Sequence, residues 1–169
     1  MQPIRSAVLL IALALPLAAT AGQTLTIPKK TEFARGASVP EAVRDECQLP
    51  QKVSEFVKEY AGKNFDSVKL VDKVSPQSGG DALTMQIVGV QGVAGGAWSG
   101  PKSVTVEGKY YKNGKLAGTF RAVRRSGGGA FGAYKNTCSI LGRCTKAIGK
   151  DVAGWMQSPG MNAKLGDAK

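Results

Sequence analysis

The stretch from Ser103 to Arg125 constrains the fold more than any other part of this 169-residue chain. Two segments of alternating apolar and polar residues flank Lys112-Asn113-Gly114. Alternation with a period of two is typical of β-strands, and an Asn-Gly pair between two such segments favours a tight turn. The stretch therefore predicts an antiparallel hairpin.

The length of the hairpin loop decides which side chains share a face. A two-residue Asn-Gly turn would set Val104 and Val106 on the face opposite Phe120. A three-residue loop gives one apolar face instead, because a slip of one residue reverses every side chain. We therefore predict a three-residue type I turn with a bulge at Gly114. Its pairs would be Tyr110 with Leu116, Val106 with Phe120 and Val104 with Ala122.

Apolar spacing predicts two helices and three further strands. The first helix starts near Pro50, which suits the first helical position, and ends at Gly62. The second ends before Pro159. Apolar residues recur at helical spacing at Leu49, Val53, Phe56, Val57 and Tyr60 in the first helix and at Leu141, Cys144, Ile148, Val152 and Trp155 in the second. The strands are Thr24 to Pro28, Val68 to Val71 and Ala82 to Val90, and Lys29 to Cys47 is predicted to be irregular apart from a helical turn opened by Pro40.

This order of elements indicates an α+β fold. Antiparallel strands cannot bury both faces alone, and two amphipathic helices can cover one of them. We expect a two-layer sandwich, in which two helices pack on one face of a mainly antiparallel sheet of four to five strands. One domain would span 22–158, followed by a flexible C-terminal tail at 159–169.

Small residues mark one stripe of the second helix. Gly142, Gly149 and Ala153 fall on the same flank, although glycine costs a helix about 1 kcal/mol relative to alanine. The stripe predicts close contact with a neighbouring backbone. The alternative is that the helix merely tolerates these glycines.

The first 21 residues have the composition of a cleavable signal peptide. Arg5 is followed by an apolar run from Ala7 to Ala18, and Ala19-Thr20-Ala21 places small residues where a signal peptidase reads them. An uncleaved anchor would need about 20 apolar residues, more than this run provides. We therefore expect cleavage near Ala21 and a periplasmic or secreted mature protein that does not span the membrane.

The expected mature chain is strongly basic. Residues 22–169 contain 22 lysines and arginines against 12 acidic residues, a formal charge of +10. Such a charge favours an anionic envelope partner, such as lipid headgroups or acidic polysaccharide, with nucleic acid less favoured outside the cytoplasm. The alternative is that the charge only keeps the protein in solution. The densest basic group is Lys109, Lys112, Lys115, Arg121, Arg124 and Arg125.

Three cysteines allow at most one intramolecular disulfide. If Cys138 and Cys144 lie in one helix, they are too far apart to pair. Cys47 would then pair with one of them and stabilise the fold by about 4–5 kcal/mol in the chain-entropy model. If 137–143 is a loop, Cys138 and Cys144 could pair instead. A chain with no histidine and three cysteines is also unlike a structural zinc protein, so we expect neither metal nor cofactor.

No catalytic constellation stands out. The absence of histidine removes the commonest general base and the Ser-His and Cys-His pairs. Cys144 lies on the apolar side of its helix and is expected to be a buried structural thiol. Glu55 and Glu59 share a helix face with lysines nearby, which indicates a solvated surface.

Glycine-rich segments carry the other candidate features. Trp98 lies within Gln91 to Lys102 and is either a binding anchor on a loop tip or a core residue folded onto the sheet. Ser126 to Gly132 is expected to be a flexible connector, although its backbone could face an anion. The candidate binding residues are Trp98, Ser99, Lys102, Arg121, Arg124 and Arg125.

Several segments resemble a group of small exported proteobacterial proteins of unknown function. The matching segments are Gly-Gly-Ala-Trp-Ser-Gly-Pro-Lys-Ser (95–103), Arg-Arg-Ser-Gly-Gly-Gly (124–129), Thr-Cys-Ser-Ile-Leu-Gly-Arg-Cys (137–144) and the helix from Lys146 to Trp155. More distantly, the chain is similar to small α/β envelope domains of lipoproteins and secretion accessories, although it lacks a lipidation cysteine. The resemblance implies an envelope location and a two-layer fold, and it brings no catalytic residues.

These features together predict a non-catalytic binding or accessory protein of the cell envelope. It would use the Trp98 loop and nearby basic strands against an anionic envelope component or a protein partner. One alternative is a histidine-free enzyme that acts on an anionic polymer. Another is a protein that forms a mixed disulfide with a partner through its unpaired cysteine.

Overall fold

A computed structural model of the protein describes residues 23–77, 79–93, 95–127 and 135–169. The expected signal peptide, with its cleavage near Ala21, lies outside the described residues, as does most of the expected connector Ser126 to Gly132. The described chain has an α+β fold, as predicted. In chain order its elements are strands β1 (Thr24–Pro28) and β2 (Phe33–Ser38), helices α1 (Glu41–Glu46) and α2 (Leu49–Ala61), strands β3 (Ser67–Val71) and β4 (Asp81–Gln91), a 3₁₀ turn (Gly96–Ser99), strands β5 (Lys102–Lys112) and β6 (Lys115–Ser126), helix α3 (Thr137–Trp155) and strand β7 (Ala163–Gly166).

The sheet is mixed and larger than predicted. Its order is β3-β1-β4-β5-β6-β7, with β2 also paired to β4. The β4–β5 and β5–β6 pairs are antiparallel, whereas β1 with β3, β1 with β4, β2 with β4 and β6 with β7 are parallel. The expectation of four to five mainly antiparallel strands and two helices is therefore corrected to seven strands and three helices among the described residues.

The additional elements are short and lack the patterns on which sequence prediction relies. Strand β2 reads Phe-Ala-Arg-Gly-Ala-Ser without alternation, and the chain before it pairs with β4 through the Ile87 amide, which donates to the Glu32 carbonyl. Helix α1 has only six residues and lies where one helical turn was expected after Pro40. Strand β7 has four residues and lies in the segment expected to be a loose tail. That expectation is wrong for Ala163–Gly166, because these residues pair in parallel with β6.

Helices α2 and α3 cover one face of the sheet, which we call the inner face. The apolar side chains of α2, of α3 and of alternate strand residues meet there in one core, whose fully buried members include Leu25, Ile27, Val53, Val57, Leu83, Ile87, Val104, Val106 and Ile148. Trp155 of α3 packs on Phe120, with ring centroids 5.0 Å apart. Burial of one face by two helices is the two-layer arrangement that the sequence predicted.

The hairpin turn differs from the predicted one. Asn113 and Gly114 have φ angles of 50° and 78°, and Lys112 pairs with Lys115, so the loop has two residues. The register then shifts between Tyr110 and Tyr111, because Tyr111 pairs with Leu116 and Tyr110 with Gly118. Because Ala117 is an extra residue in β6, each side chain beyond it points to the opposite face from the one that regular pairing after this turn would give. The predicted single apolar face is therefore confirmed, while the predicted three-residue loop and its pairs are wrong.

The bulge at Ala117 does what a third loop residue was expected to do. A bulge inserts one residue into one strand of a pair, so it moves the following side chains to the opposite face of the sheet, as a longer loop would. Beyond it, Val106 pairs with Ala122 and Gly108 with Phe120. All four positions lie on the inner face.

A disulfide joins Cys47 to Cys138 across 91 residues, with Cα atoms 4.9 Å apart. It ties the end of α1 to the first turn of α3. It is one of the two long-range pairings that the sequence left open, and it stabilises the fold by about 4–5 kcal/mol in the chain-entropy model. Cys144 is the free thiol.

None of the helices in the described ranges is both long enough and apolar enough to cross a membrane.

Candidate functional site

The face of the sheet opposite the helices, which we call the outer face, is polar. Strand residues alternate between the two faces, so the neighbours of the buried apolar residues point outward. The polar side chains on the middle of this face are those of Thr84, Gln86, Glu107, Lys109, Tyr111, Thr119, Arg121, Asn162 and Lys164, and none of these residues is buried. They line a groove of about 700 Å³.

Strand register arranges these side chains in two rows across the sheet. In the first row Gln86 pairs with Glu107, Glu107 with Arg121 and Arg121 with Lys164. Each of these residues is contributed by a different strand. The row therefore crosses all four strands from β4 to β7.

The second row runs parallel to the first, at a distance of two residues along each strand. Thr84 pairs with Lys109 and Lys109 with Thr119. Thr119 is bonded to Asn162 at the start of β7, since the Asn162 amide donates to the Thr119 hydroxyl at 2.7 Å. We call the space bounded by these two rows the outer groove. Side chains that can donate and accept hydrogen bonds line its whole width.

The outer groove has a net positive charge. Arg121 forms an ion pair with Glu107. Lys164 lies directly opposite Arg121, and like charges in that position repel each other. Neither Lys109 nor Lys164 has a carboxylate within ion-pair distance in the part of the chain that the structure describes. The groove thus holds three cations and one carboxylate, and an anion there would relieve the repulsion.

Trp98 lies apart from this groove, on the 3₁₀ turn between β4 and β5. Its side chain is 83% exposed, which decides between the two readings of the sequence in favour of a surface residue. The preceding residues hold the turn against α3. The Gly96 amide donates to the Thr137 hydroxyl at 3.2 Å, and a Cβ on Gly96 would lie 2.3 Å from the Lys135 carbonyl oxygen.

Lys102 supports the turn from inside and bonds to Ser99, which is exposed. Lys102 is fully buried, and its ammonium group donates to the Ser99 hydroxyl at 2.7 Å and to the Gly100 carbonyl at 3.0 Å. Because these bonds close the turn, Lys102 is not available to an anion from outside. Lys102, which was predicted to bind a ligand, instead stabilises the turn.

Arg124 also has internal partners. It forms a bidentate pair with Asp151 of α3, at 2.6 and 2.7 Å, and lies 3.6 Å from Asp167 after β7. The hydrogen bonds to Asp151 raise the pKa of the Arg124 guanidinium above its ordinary value. Arg124 therefore joins β6, α3 and the C-terminal segment.

The six predicted binding residues thus lie in four places. Trp98, Ser99 and Lys102 form the turn, and Arg124 faces α3. Arg121 lies in the outer groove, and Arg125 is exposed near the end of β6. Sequence reasoning missed Gln86, Asn162 and Lys164, and it counted Lys109 in the basic group without assigning it to the site. The alternation that predicted the apolar face of the hairpin could have identified Glu107, Lys109, Thr119 and Arg121 as one polar face.

Cys144 is a buried thiol, as expected. It is 2% exposed, and burial raises its pKa to about 11. Its thiol donates to the Lys102 carbonyl at 3.8 Å. At neutral pH this thiol is protonated and therefore unreactive, because the thiolate is the reactive form. Its burial also keeps the sulfur away from a partner protein.

No group of three or more cysteine and acidic side chains that could hold a metal ion occurs among the residues that the structure describes. A comparison with protein-family models finds none that matches this chain, and a search of curated proteins finds no similar sequence.

Proposed function

We propose that the protein is an exported, non-catalytic binding protein of the cell envelope, whose outer groove holds an anionic component of the envelope. One observation carries the proposal: a row of side chains across four strands ends in two cations side by side, Arg121 and Lys164, on the face opposite the helices of the described residues. A ligand anion at this position would gain from both charges.

Burial and pairing across the molecule support this position. Arg124 and Lys102, the other strongly held cations, already have partners within the fold. Lys109 and Lys164 are exposed and have no carboxylate partner among the described residues. Cations that the fold leaves without a carboxylate are the ones that a ligand can use.

Export is the second part of the proposal. The composition of the first 21 residues supports it, and the resemblance to small exported proteobacterial proteins agrees with it. The Cys47–Cys138 disulfide is compatible with an oxidising compartment. In such a compartment the ligand would be a lipid headgroup, an acidic polysaccharide or an anionic protein partner.

Retention on immobilised dextran sulfate tests whether the outer groove binds anions. The Lys109→Glu/Lys164→Glu variant changes the net charge by −4 at the groove. We expect it to elute at much lower salt than the wild-type protein, because it removes two attractive charges and adds two repulsive ones.

A matched variant distinguishes binding at the groove from an effect of the total charge of the protein. Lys58→Glu/Lys150→Glu also changes the net charge by −4, at exposed positions on α2 and α3. The proposal predicts elution close to that of the wild-type protein. If the two variants elute at the same salt concentration, the basic charge acts only through its total, and the groove is not a site.

A further inference from the structure

We propose that the anion held in the outer groove is an acidic polysaccharide, which lies across strands β4 to β7. This inference rests on the proposed function and specifies the ligand class. It follows from the mixture of side chains in the groove, from their arrangement in rows and from the shape of the face.

The mixture of side chains matches a ligand that carries both hydroxyl and carboxylate groups. Five neutral polar residues, namely Thr84, Gln86, Tyr111, Thr119 and Asn162, line the groove together with three cations and one carboxylate. Neutral hydroxyl and amide groups both donate and accept hydrogen bonds, as sugar hydroxyls do. The cations supply charge-assisted bonds to a carboxylate on the sugar.

The two rows suit an extended chain. Neighbouring strands lie about 4.8 Å apart, so four strands span about 14 Å, and the rows are separated by about 7 Å along the strands. In the first row the polar groups run from Gln86 through the Glu107–Arg121 pair to Lys164. A short segment of polysaccharide could therefore contact one residue from each strand in turn.

The shape and chemistry of the groove disfavour the other anionic polymers of a cell. A lipid bilayer presents a nearly flat surface, which would contact the exposed Lys109 and Lys164 more readily than the half-buried Thr84 and Thr119. Single-stranded nucleic acid binds to surfaces that offer several aromatic rings on which bases stack. Two aromatic residues line the groove, Tyr111 and Phe120, and the ring of Phe120 packs against Trp155 on the inner face.

Binding constants for four probes test the ligand class: polygalacturonate, neutral dextran, inorganic polyphosphate and phosphatidylglycerol vesicles. We expect polygalacturonate to bind most tightly, with an affinity that falls as salt concentration rises. Dextran, which lacks carboxylates, should bind weakly. Tighter binding of polyphosphate or vesicles than of polygalacturonate would overturn the inference.

Two pairs of substitutions then separate charge from hydroxyl recognition. Lys109→Ser/Lys164→Ser should weaken polygalacturonate and polyphosphate alike. Thr84→Val/Gln86→Ala should raise the Kd for polygalacturonate about tenfold, since it removes two neutral hydrogen-bonding groups, and leave polyphosphate unchanged. Gln157→Ala/Ser158→Ala, at exposed positions after α3, is the control and should change neither.

The outcomes distinguish the inference from the function on which it rests. If the neutral pair has no effect on polygalacturonate while the lysine pair weakens every polyanion, the site binds anions but does not recognise a sugar, and the inference is wrong. If the lysine pair has no effect on any probe, the proposed function is wrong as well. Thermal unfolding of each variant verifies that all six positions can change without loss of the fold.

Discussion

At Gly149, helix α3 packs closely against the backbone of helix α2. A Cβ at this position would lie 2.7 Å from the backbone carbon and the Cβ of Phe56, so a helix would have to move to accept it. Gly142, on the same stripe of α3, has open space around the corresponding point. The two readings of this stripe are therefore both right, each for one glycine: close contact at Gly149 and tolerance at Gly142.

Alanine substitutions at these two glycines should have opposite effects. Gly149→Ala should lower the free energy of unfolding by about 1–3 kcal/mol, as overpacking of a core does. Gly142→Ala should raise it by up to about 1 kcal/mol, because alanine favours a helix and meets no neighbour. Urea unfolding with the disulfide intact measures both. Equal effects of the two substitutions would contradict the close contact.

At the scale of single elements, the hairpin separates what alternation can predict from what it cannot. The facing of Val104, Val106, Phe120 and Ala122 follows from a period of two and from the cost of burying polar side chains. The length of the turn cannot be predicted in this way, because a bulge in the strand and an extra loop residue both move the side chains to the opposite face. Nothing in the residues around Ala117 distinguishes the two solutions.

Strand β7 is an element that the sequence does not reveal, because its stability comes from contacts distant in the chain. Four residues, Ala163–Gly166, are too few for a pattern. Their pairing with β6 is reinforced beyond the strand, where the Asp167 amide donates to the Val123 carbonyl at 2.8 Å. Arg124 contacts Asp167 and Asp151 together, so it links this edge of the sheet to α3.

Two adjacent arginines test this link. Arg124→Ala should lower the free energy of unfolding by about 1–2 kcal/mol, because it removes a bidentate, partly buried ion pair and leaves Asp151 without its partner. Arg125→Ala should change it by less than about 0.5 kcal/mol, as is usual for an exposed side chain. Denaturant unfolding of the two variants makes the comparison. A similar loss in both would show that Arg124 does not hold the C-terminal segment.

At the scale of the whole molecule, the outer groove is a product of topology. The hairpin contributes Glu107, Lys109, Thr119 and Arg121, whose common face could be predicted from alternation. Gln86 and Lys164 join them because β4 and β7 happen to flank the hairpin, and strand order is set by packing of the entire sheet rather than by local sequence. For the same reason Lys102 and Arg124, which resemble surface cations in the sequence, have partners inside the fold.

Chemical-shift mapping of backbone amides during titration with polygalacturonate tests the central claim most directly. The account predicts that the largest shifts occur at Gln86, Lys109, Arg121 and Lys164, across the outer face, with little change in α2 and α3. Shifts concentrated at the Trp98 turn or on the helices, with the outer face unchanged, would contradict it.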